Sequence, residues 1–502
     1  MTLQNFVAGL AMTVLIAGAA AQSAQSAGLG APPGQIVQPP PPPPCPPVPG
    51  TAGIASISDG TAVTAEDIQQ FNVWWMSPDT CAGALALTQS GFSKRHPDWD
   101  TAARMTAMTR MYELTQDLRY LYHLRQLIEV ILFYRDDHYP GNSDPTCKRC
   151  EPTPVDDFRG GIVAGWGHVQ FGNLSGIDED TTPALTYPIA TFARIVAEDP
   201  SLQAEYGSDA IRYANAAMET MWSLMPQMNI QSVGSHFEAY LVRPDSYRTK
   251  LTQSVCQGNE ECDNDHDFAG APLDYNGNAA FMMTLIELWR ALDSPFYRST
   301  VFQTAQVEYT RTLIPLLVSR FQRFFAGHLQ TRTDDPNGVP RFYWNYNDGI
   351  PHSINPEGTP HGSLDMQYID ELRRNLDRLN AVLVPLGEPI ALDASYLWQF
   401  ANTFLWKIAG GAWEFGLSVF AKDVTGKNPD PKYNKECAGW VNLAVADGDV
   451  YSICHEASLR VVNGGQPYLT IGAHSALLMN KQFSSPVSEP PPHDPHCGKF
   501  AC

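Results

Sequence analysis

The sequence predicts an all-α protein in which antiparallel helix pairs close into an (α/α) toroid. Apolar residues recur with helical spacing over most of the chain, for example at Met108, Met111, Leu118 and Leu121. No convincing series of alternating strand patterns appears, and no internal linker rich in Pro, Gly or Ser interrupts the helices. Helices joined by modest turns tend to pack as antiparallel pairs, and a long series of pairs without a linker favours a closed ring.

An open helical solenoid is the alternative to a ring, but no repeat of fixed period is present. The sequence divides into four predicted segments. These are a signal peptide at 1–21, a Pro-rich linker at 22–51, the toroid as a single catalytic domain at 52–483, and a tail containing Pro and Cys at 484–502. The signal peptide is predicted from the apolar run that ends in Ala19, Ala20 and Ala21. Six consecutive prolines, Pro39 to Pro44, favour an extended linker.

Helical periodicity predicts one long helix over 101–134, which contains no Gly or Pro. Further helices are expected near 64–77, 182–198, 207–225, 276–292, 296–326, 361–383, 396–421 and 467–481. Short strands are possible in the Gly-rich stretches 159–180 and 328–350. These interruptions are where functional residues are expected, because helix packing alone does not require their polar and aromatic side chains.

Composition excludes several classes of protein. The chain has 33 Lys and Arg against 53 Asp and Glu, a net charge of −20, whereas nucleic-acid-binding proteins carry a basic surface. Hydrophobic residues make up 44% of the chain, too many for a largely disordered protein. No segment after the N-terminal run is long and apolar enough to span a bilayer. We therefore expect a secreted or periplasmic protein with no nucleic-acid partner and no membrane span.

Ten cysteines fit an exported protein, in which structural disulfides are the common use. Cys256 and Cys262 bracket a short polar loop, Cys437 and Cys454 bracket a possible turn, and residues 147–150 form a CxxC sequence. A zinc site would need further ligands at suitable spacing, and none is found. The acidic segment 263–267 invites a calcium-loop interpretation, but Phe268 stands where such a loop needs Gly. We expect neither metal nor cofactor.

Three interruptions combine polar and aromatic residues. The first, 160–180, contains Trp166. The second, 235–240, contains His236, which is either a core residue or a functional one. The third runs from Arg341 through the alternating sequence Tyr343, Trp344, Asn345 and Tyr346. Aromatic rings cover the apolar faces of sugars while amides and Arg bind hydroxyl and carboxylate groups, so this alternation is typical of a carbohydrate cleft.

Two predicted helix starts carry candidate polar groups. Thr359 and Pro360 are typical of a helix start, which places His361 in the first turn and Asp365 on the same face four residues later. The N-terminus of a helix disfavours imidazolium, so His361 is a plausible neutral proton-transfer group. Asn276 either caps the helix that follows it or points into the cleft.

The order of these landmarks resembles that of the alginate and glucuronan lyases, helical-toroid enzymes that degrade uronic-acid polysaccharides. The similarity covers roughly residues 158–405 and rests on the Tyr187-Pro188-Ile189-Ala190 helix, Tyr275-Asn276, the 343–346 loop and Pro360-His361-Gly362. It implies β-elimination. Asn276 and Arg341 would neutralise the uronate carboxylate, His236 or His361 would act as base, and Tyr346 would act as acid or base with Tyr343 in reserve. Asn345, Trp344, Trp166 and Asp365 would complete the polysaccharide-binding cleft.

The acidic chain would repel a polyanion unless the cleft is locally positive. A glycoside hydrolase using two carboxylates is therefore the alternative, with candidates Glu238, Asp348, Glu357 and Asp365. A non-catalytic glycan-binding protein is the third possibility, but it leaves the His, Tyr and Asn residues without a role.

Overall fold

The computed structural model describes residues 62–76, 97, 99–139, 153–171, 174–299, 305–333, 338–346, 357–409, 436–459, 461–462, 466–467 and 470–484. Most of these residues lie in helices, which confirms a predominantly helical chain. The predicted signal peptide, the Pro-rich linker, the C-terminal tail beyond 484, the 147–150 sequence and Asp348 all lie outside the described residues. No helix in these ranges is long and apolar enough to span a membrane.

The first half of the chain alternates long helices with two hairpins. Its helices are α1 Ala65–Trp75, α2 Trp99–Thr115, α3 Leu118–Phe133, α4 Thr181–Glu198, α5 Pro200–Leu224, α6 Tyr247–Lys250, α7 Gln253–Cys256, α8 Glu260–Asp267 and α9 Tyr275–Asp293. Its strands are β1 Gly167–Phe171, β2 Leu174–Ile177, β3 Met228–Val233 and β4 His236–Leu241, paired antiparallel as β1–β2 and β3–β4.

The second half repeats the arrangement. Its helices are α10 Pro295–Ser299, α11 Ala305–His328, α12 Thr359–Leu383, α13 Ala394–Thr403, α14 Cys437–Trp440, α15 Gly448–Leu459 and α16 Ile471–Asn480. A π-helical turn, Phe404–Ile408, extends α13, and the 3₁₀ turn Val441–Val445 extends α14. The antiparallel hairpins pair β5 Gln330–Arg332 with β6 Arg341–Tyr343 and β7 Val461–Val462 with β8 Gln466–Pro467.

Six helices contact one another in a closed series. The contacts run from α2 to α4, α9, α12, α14 and α16, and α16 packs back against α2. The remaining long helices lie against this series: α3 packs on α2, α5 on α4 and α9, and α11 on α9 and α12. The six helices supply much of the main hydrophobic core, which includes Phe192, Phe281, Tyr368 and Trp440.

Local capping explains several helix starts. Thr64 and Asp67 form a reciprocal capping box at α1, in which each side chain accepts a hydrogen bond from the other residue's backbone N–H. Asp199 caps α5 immediately before Pro200, and Asp393 caps α13. These bonds satisfy amide donors that the first turn of a helix leaves unpaired.

The single helix predicted over 101–134 is two helices. Gln116 adopts a φ of +57° and Asp117 caps α3, so the chain turns between α2 and α3. Positive φ is uncommon for residues other than Gly, and no Gly or Pro marks this break in the sequence. The short helices at 437–459 were also not predicted, whereas the helices over 182–198, 276–292 and 361–383 match α4, α9 and α12 within two residues.

The strands predicted as possible in 159–180 and 328–350 are present as β1–β2 and β5–β6. The β3–β4 hairpin was not predicted. Its six-residue strands pair from Met228–Leu241 to Val233–His236 across a two-residue turn, where Gly234 has a φ of +59°. Gly supplies this left-handed conformation without steric cost, as tight hairpin turns require.

A buried network of ion pairs and hydrogen bonds joins four of the six helices of this series. Arg194 of α4 bonds to Glu287 of α9 at 2.8 Å and to Glu113 of α2. Tyr187 of α4 donates to Glu371 of α12 at 2.9 Å. Arg194 and Glu287 are buried, so each charge depends on the other for compensation, whereas burial raises the pKa of Glu371 to about 8 and favours its protonated form.

Two disulfides lie within the described residues, Cys256–Cys262 and Cys437–Cys454. They join the cysteine pairs that bracket short segments of the sequence. The first joins α7 to α8. Cys256 and Cys262 belong to a separate apolar cluster with Phe158 and Tyr247. The second ties α14 to α15.

The Lys481–Asp67 ion pair connects α1 to the 3₁₀ turn Lys481–Phe483, which follows α16. Its Nζ and Oδ2 atoms are 2.6 Å apart, and both side chains are almost completely buried. Asp67 also accepts the capping-box bond from the Thr64 N–H at 2.8 Å. The pair therefore couples the start of α1 to the turn that follows α16.

We expect Lys481→Met to lower the free energy of unfolding by about 3–5 kcal/mol, because it leaves the Asp67 carboxylate buried without its cation. Denaturant titration would measure the loss. Arg119→Met is the matched control: its pair with Asp117 is largely exposed and should change stability by no more than about 1 kcal/mol. Equal effects of the two substitutions would contradict a special role for the buried pair.

Candidate functional site

The starts of α4, α9 and α12 converge on one cluster of titratable side chains. Asp180 precedes α4, Asp274 precedes α9, and His361 lies in the first turn of α12. The charge of Asp274 acts on Asp180, Tyr346 and His361, which places the four side chains within electrostatic range. These three helices are consecutive members of the closed contact series, so the cluster lies where their N-terminal ends meet.

Tyr346 and His361 form the centre of the cluster. Their rings stack with centroids 4.5 Å apart and planes at 30°. The Tyr346 hydroxyl hydrogen-bonds to Asp274, and the backbone carbonyl oxygen of Tyr346 accepts a hydrogen bond from the Tyr275 N–H at 3.3 Å. Burial raises the pKa of Tyr346 well above its usual range, and the negative charges of Asp274, Asp180 and Glu357 add to the increase. Tyr346 is therefore held as a proton-bearing phenol.

His361 has the opposite shift. Burial lowers its pKa below the usual value and the charge of Asp274 opposes the decrease only in part, so the neutral imidazole is favoured. The side chain is nevertheless 47% exposed, which leaves part of the ring accessible. Its Nδ1 lies 3.7 Å from Oε1 of Glu357, beyond hydrogen-bonding distance. His361 and Tyr346 together present a neutral base beside a neutral acid.

Below this pair, Glu357 and Asp365 share a hydrogen bond in the interior. Both side chains are 0% exposed. Trp344 Nε1 donates to Asp365 Oδ2 at 3.0 Å, and the Gly358 N–H donates to Glu357 Oε1 at 2.8 Å. Burial raises the pKa of Asp365 to about 7 and that of Glu357 well above its usual range. A proton shared between the two carboxyl groups accounts for both directions.

Asp180 lies on the other side of the cluster, against the first turn of α9. A Cβ atom on Gly277 would be 2.0 Å from Asp180 Oδ1, so only Gly permits this approach. Burial, and then the charge of Asp274, raise the pKa of Asp180 well above its usual range. Its Oδ1 is buried with no hydrogen-bond partner among the described residues. A carboxyl group with a raised pKa keeps its proton and can donate a hydrogen bond.

Asp274 is ion-paired with Arg243. Arg243 NH2 donates to Asp274 Oδ1 at 2.8 Å, and Arg243 Nε donates to Asp265 at 3.1 Å. The neighbouring Asn276 is 1% exposed and has a side-chain Oδ1 without a hydrogen-bond partner in the described part of the chain. Asn276 does not cap α9, because the cap position is occupied by Asp274 and Asn276 lies inside the helix.

The aromatic segment predicted to line a cleft faces largely inward. Tyr343 donates to Asn345 Oδ1 at 3.0 Å, and the Arg332 guanidinium lies 4.0 Å from the centroid of the Tyr343 ring. Arg341, Tyr343 and Trp344 are each at most 5% exposed. Tyr346 is thus the tyrosine of this segment that reaches the cluster.

Trp166 and His236 are placed apart from these contacts. Trp166 is 3% exposed and donates from Nε1 to the Ile131 carbonyl at 2.9 Å, a position that favours a packing role. His236 begins β4, where its Nε2 lies 3.4 Å from Oε1 of Glu238. The described contacts of the Tyr346 cluster do not include it. Glu238 is 5% exposed and also accepts from Gln231 at 3.3 Å.

The acidic segment considered for calcium forms helix α8, not a ligand loop, and Asp265 within it pairs with Arg243. One group of potential metal ligands occurs among the described residues, Asp137, His138 and Glu219. Arg135 already contacts all three, at 2.7, 2.9 and 2.6 Å. Its guanidinium supplies the positive charge that a metal ion would bring.

Asp180 and Asp274 were not predicted as site residues. Each directly precedes a helix, and an acidic residue there is ordinarily a cap. Neither makes a side-chain cap bond, however, which leaves their carboxyl groups available to the cluster. The acidic run 178–180 before an apolar helix was the available sequence indication.

Comparisons of the chain with protein-family models, characterised proteins and solved structures found no match.

We expect Asp365→Asn to flatten the dependence of stability on pH. The folded pKa values of Asp365 and Glu357 lie above their unfolded values, so this pair stabilises the fold at low pH. The stabilisation is lost as the pH rises from about 4 through about 7. Asparagine can keep a hydrogen bond to Glu357 without titrating. Chemical unfolding across this range would measure the change in slope relative to the unaltered chain.

Asp117→Asn is the control with opposite sign. The hydrogen bond from Arg119 lowers the pKa of Asp117, so its contribution to stability is lost as the pH falls. An Asp365→Asn variant with an unchanged slope would show that the carboxyl pair does not share a proton.

Proposed function

We propose that this chain is an exported polysaccharide lyase that cleaves a uronic-acid polymer by β-elimination at the mouth of an (α/α) toroid. The toroid is supported by the closed contact series α2, α4, α9, α12, α14 and α16, with other long helices packed against it. Export is supported by the two disulfides, which are rare in reducing compartments. The polysaccharide is the only partner proposed, with no metal or cofactor.

The observation that carries the proposal is the stacked Tyr346–His361 pair with opposed pKa shifts. β-Elimination needs a base to remove the C5 proton and an acid to protonate the departing oxygen. His361 has a lowered pKa and remains an unprotonated base, whereas Tyr346 has a raised pKa and remains a protonated acid. A pair of neighbouring groups whose environments drive their pKa values in opposite directions is the usual mark of an acid–base assignment.

The reaction follows from these roles. His361 takes the C5 proton, and the electron pair of the C5–H bond forms the C4–C5 double bond. The C4–O4 bond breaks, and O4 takes the proton of the Tyr346 hydroxyl. The products are a new non-reducing end with an unsaturated uronate and a free hydroxyl on the other fragment. Proton exchange then returns His361 and Tyr346 to their starting forms.

The uronate carboxylate must be stabilised as charge builds on it. Asp180 supports this role because its raised pKa favours a protonated carboxyl, which can donate a hydrogen bond to a carboxylate. The role predicted for Asn276 stays a prediction, because its unpartnered atom is Oδ1, which accepts hydrogen bonds and does not stabilise an anion. Protonation of Asp180 and Glu357 also removes negative charge from the mouth, which eases the approach of a polyanion to an acidic protein. The roles predicted for Arg341 and His236 stay predictions.

A glycoside hydrolase is the second candidate, and a specific observation favours it. Asp180 carries a raised pKa beside Asp274, which is ion-paired with Arg243, and a protonated and an ionised carboxyl are the two groups that glycoside hydrolysis uses. The carboxyl groups proposed from the sequence are less suitable. Glu357 and Asp365 are completely buried and bond to each other, and Glu238 lies on the β3–β4 hairpin.

We expect Tyr346→Phe to reduce kcat on a uronic-acid polymer by about 10²-fold or more with little change in KM, because it removes only the proton that the leaving oxygen takes. His361→Asn should cause a loss of similar order. Activity is measured as the ultraviolet absorbance of the unsaturated product. The matched controls are Tyr309→Phe, whose ring stacks on Trp222, and His266→Asn, whose side chain bonds to Asp267 on the surface. Both controls should retain full rates.

New reducing ends without ultraviolet absorbance would identify a hydrolase. In that case Asp180→Asn should abolish turnover, while Tyr346→Phe should leave most of it. Melting temperatures measured beside every rate separate loss of chemistry from loss of fold.

A further inference from the structure

The Arg243 guanidinium links the peripheral helix α8 to the candidate site. Its Nε donates to Asp265 of α8 at 3.1 Å, and its Nη2 donates to Asp274 Oδ1 at 2.8 Å. Its Nη1 donates to the Pro272 carbonyl. Arg243 is 6% exposed, so a single buried cation is shared between two carboxyl groups. One of these, Asp274, bonds to the Tyr346 hydroxyl.

The position of α8 is set by local contacts. The Cys256–Cys262 disulfide joins α7 to the first turn of α8, and both cysteines lie in the apolar cluster with Phe158 and Tyr247. The main packing contacts of α8 are with α6 and α7. A covalent bond and neighbouring segments thus hold α8, so Asp265 can change its charge while its helix stays in place.

Asp265 changes its charge near neutral pH. Burial raises the pKa of Asp265 to about 6; the positive charge of Arg243 opposes the increase, and the charges of Glu179 and Asp274 add to it. Glu179 is itself paired with Arg159 at 2.6 Å. The helix packed on α8 carries three further titratable or charged groups, Tyr247, Arg248 and Lys250. Asp265 is therefore neutral below about pH 6 and negative above it.

The net charge beside the site follows from this titration. When both carboxyl groups are ionised, Asp265, Arg243 and Asp274 together carry a single negative charge. When Asp265 is protonated, the three side chains carry no net charge. The charge of Asp274 acts on Asp180, Tyr346 and His361, so this change is felt within the cluster. A negative charge there repels an anionic polymer.

We propose, resting on the lyase function above, that Asp265 makes the affinity of the site for an anionic polymer depend on pH. With Asp265 protonated, the Arg243 cation compensates Asp274 and the polymer binds tightly. With Asp265 ionised, the cation is shared between two anions and the polymer binds less tightly. The coupling is reciprocal, so a bound polymer favours the protonated form of Asp265. Asp265 acts through Arg243 and is a positioning residue.

The test measures KM for alginate and glucuronan at low salt between about pH 5 and about pH 7.5, on either side of the reference range for such a buried carboxyl. The unaltered chain is compared with Asp265→Asn, because asparagine keeps an acceptor oxygen for Arg243 Nε and cannot ionise. The KM of the unaltered chain divided by that of the variant should be near one at the lowest pH. It should rise to about 5 at the highest pH, with similar kcat values. The ratio cancels groups that titrate in both proteins, Asp365 among them.

Two controls isolate the charge of Asp265. Asp267→Asn removes a carboxylate from the same helix that is 70% exposed and bonds to His266, so this variant should keep the pH-dependent KM of the unaltered chain. At a salt concentration of about 1 M the Debye length falls to about 3 Å, and the KM ratio should be near one at every pH. A change of packing would persist in salt and at low pH.

A ratio that stays near one at low salt across the whole range would overturn the role of Asp265 and leave the lyase function intact. A ratio displaced equally at every pH would overturn it too, because it would show an effect on packing. An unaltered chain whose KM does not rise through about pH 6 would overturn it even if Asp265→Asn failed to fold. Absence of unsaturated product from both polymers at every pH would overturn the lyase function itself.

Discussion

The packing of α2, α4 and α9 depends on the bonds that the Arg194 guanidinium makes between them. From the last third of α4 the guanidinium reaches Glu287 on α9 and Glu113 on α2, and Tyr187 on the same helix reaches Glu371 on α12. Removal of Arg194 would leave the buried charge of Glu287 without this partner, which costs far more than the pair gains over an apolar contact. The network therefore fixes the relative positions of four helices, and with them the common end at which α4, α9 and α12 begin.

Buried carboxyl groups are accommodated in two different ways along these helices. Farther along the helices, Arg194 and Arg290 both pair with Glu287, whose pKa falls to about 2, while burial raises the pKa of Glu371 to about 8. At the starts of the helices, protonation neutralises the buried carboxyl groups, because burial raises the pKa values of Asp180, Glu357 and Asp365. The same residue type thus serves as a structural anion in one place and as a potential proton donor in another.

The sequence was informative where local rules govern the structure. Continuous apolar periodicity located α4, α9 and α12, and the Thr359-Pro360 start placed His361 in a first turn. It failed at the turn at Gln116, which no local residue marks. The β3–β4 hairpin was also not predicted, although the Gly234-Ser235 turn is a local signal for it. The pairing of Tyr346 with His361 follows from residue chemistry. The addition of Asp180 and Asp274 needs the approach of α4 to α9, which is invisible in a single sequence.

The contacts of α1 and α2 with α16 determine how the chain reaches its native state. Arg110 donates to the Gly472 carbonyl across a separation of 362 residues, and Trp75 donates to His474 across 399. Contacts this distant close a large loop, and chains rich in them fold slowly. During synthesis the early helices emerge long before their final neighbours exist, so their apolar faces stay exposed to solvent or to a chaperone. The contacts of α16 with α1 and α2 are therefore expected to form last and to break first on unfolding.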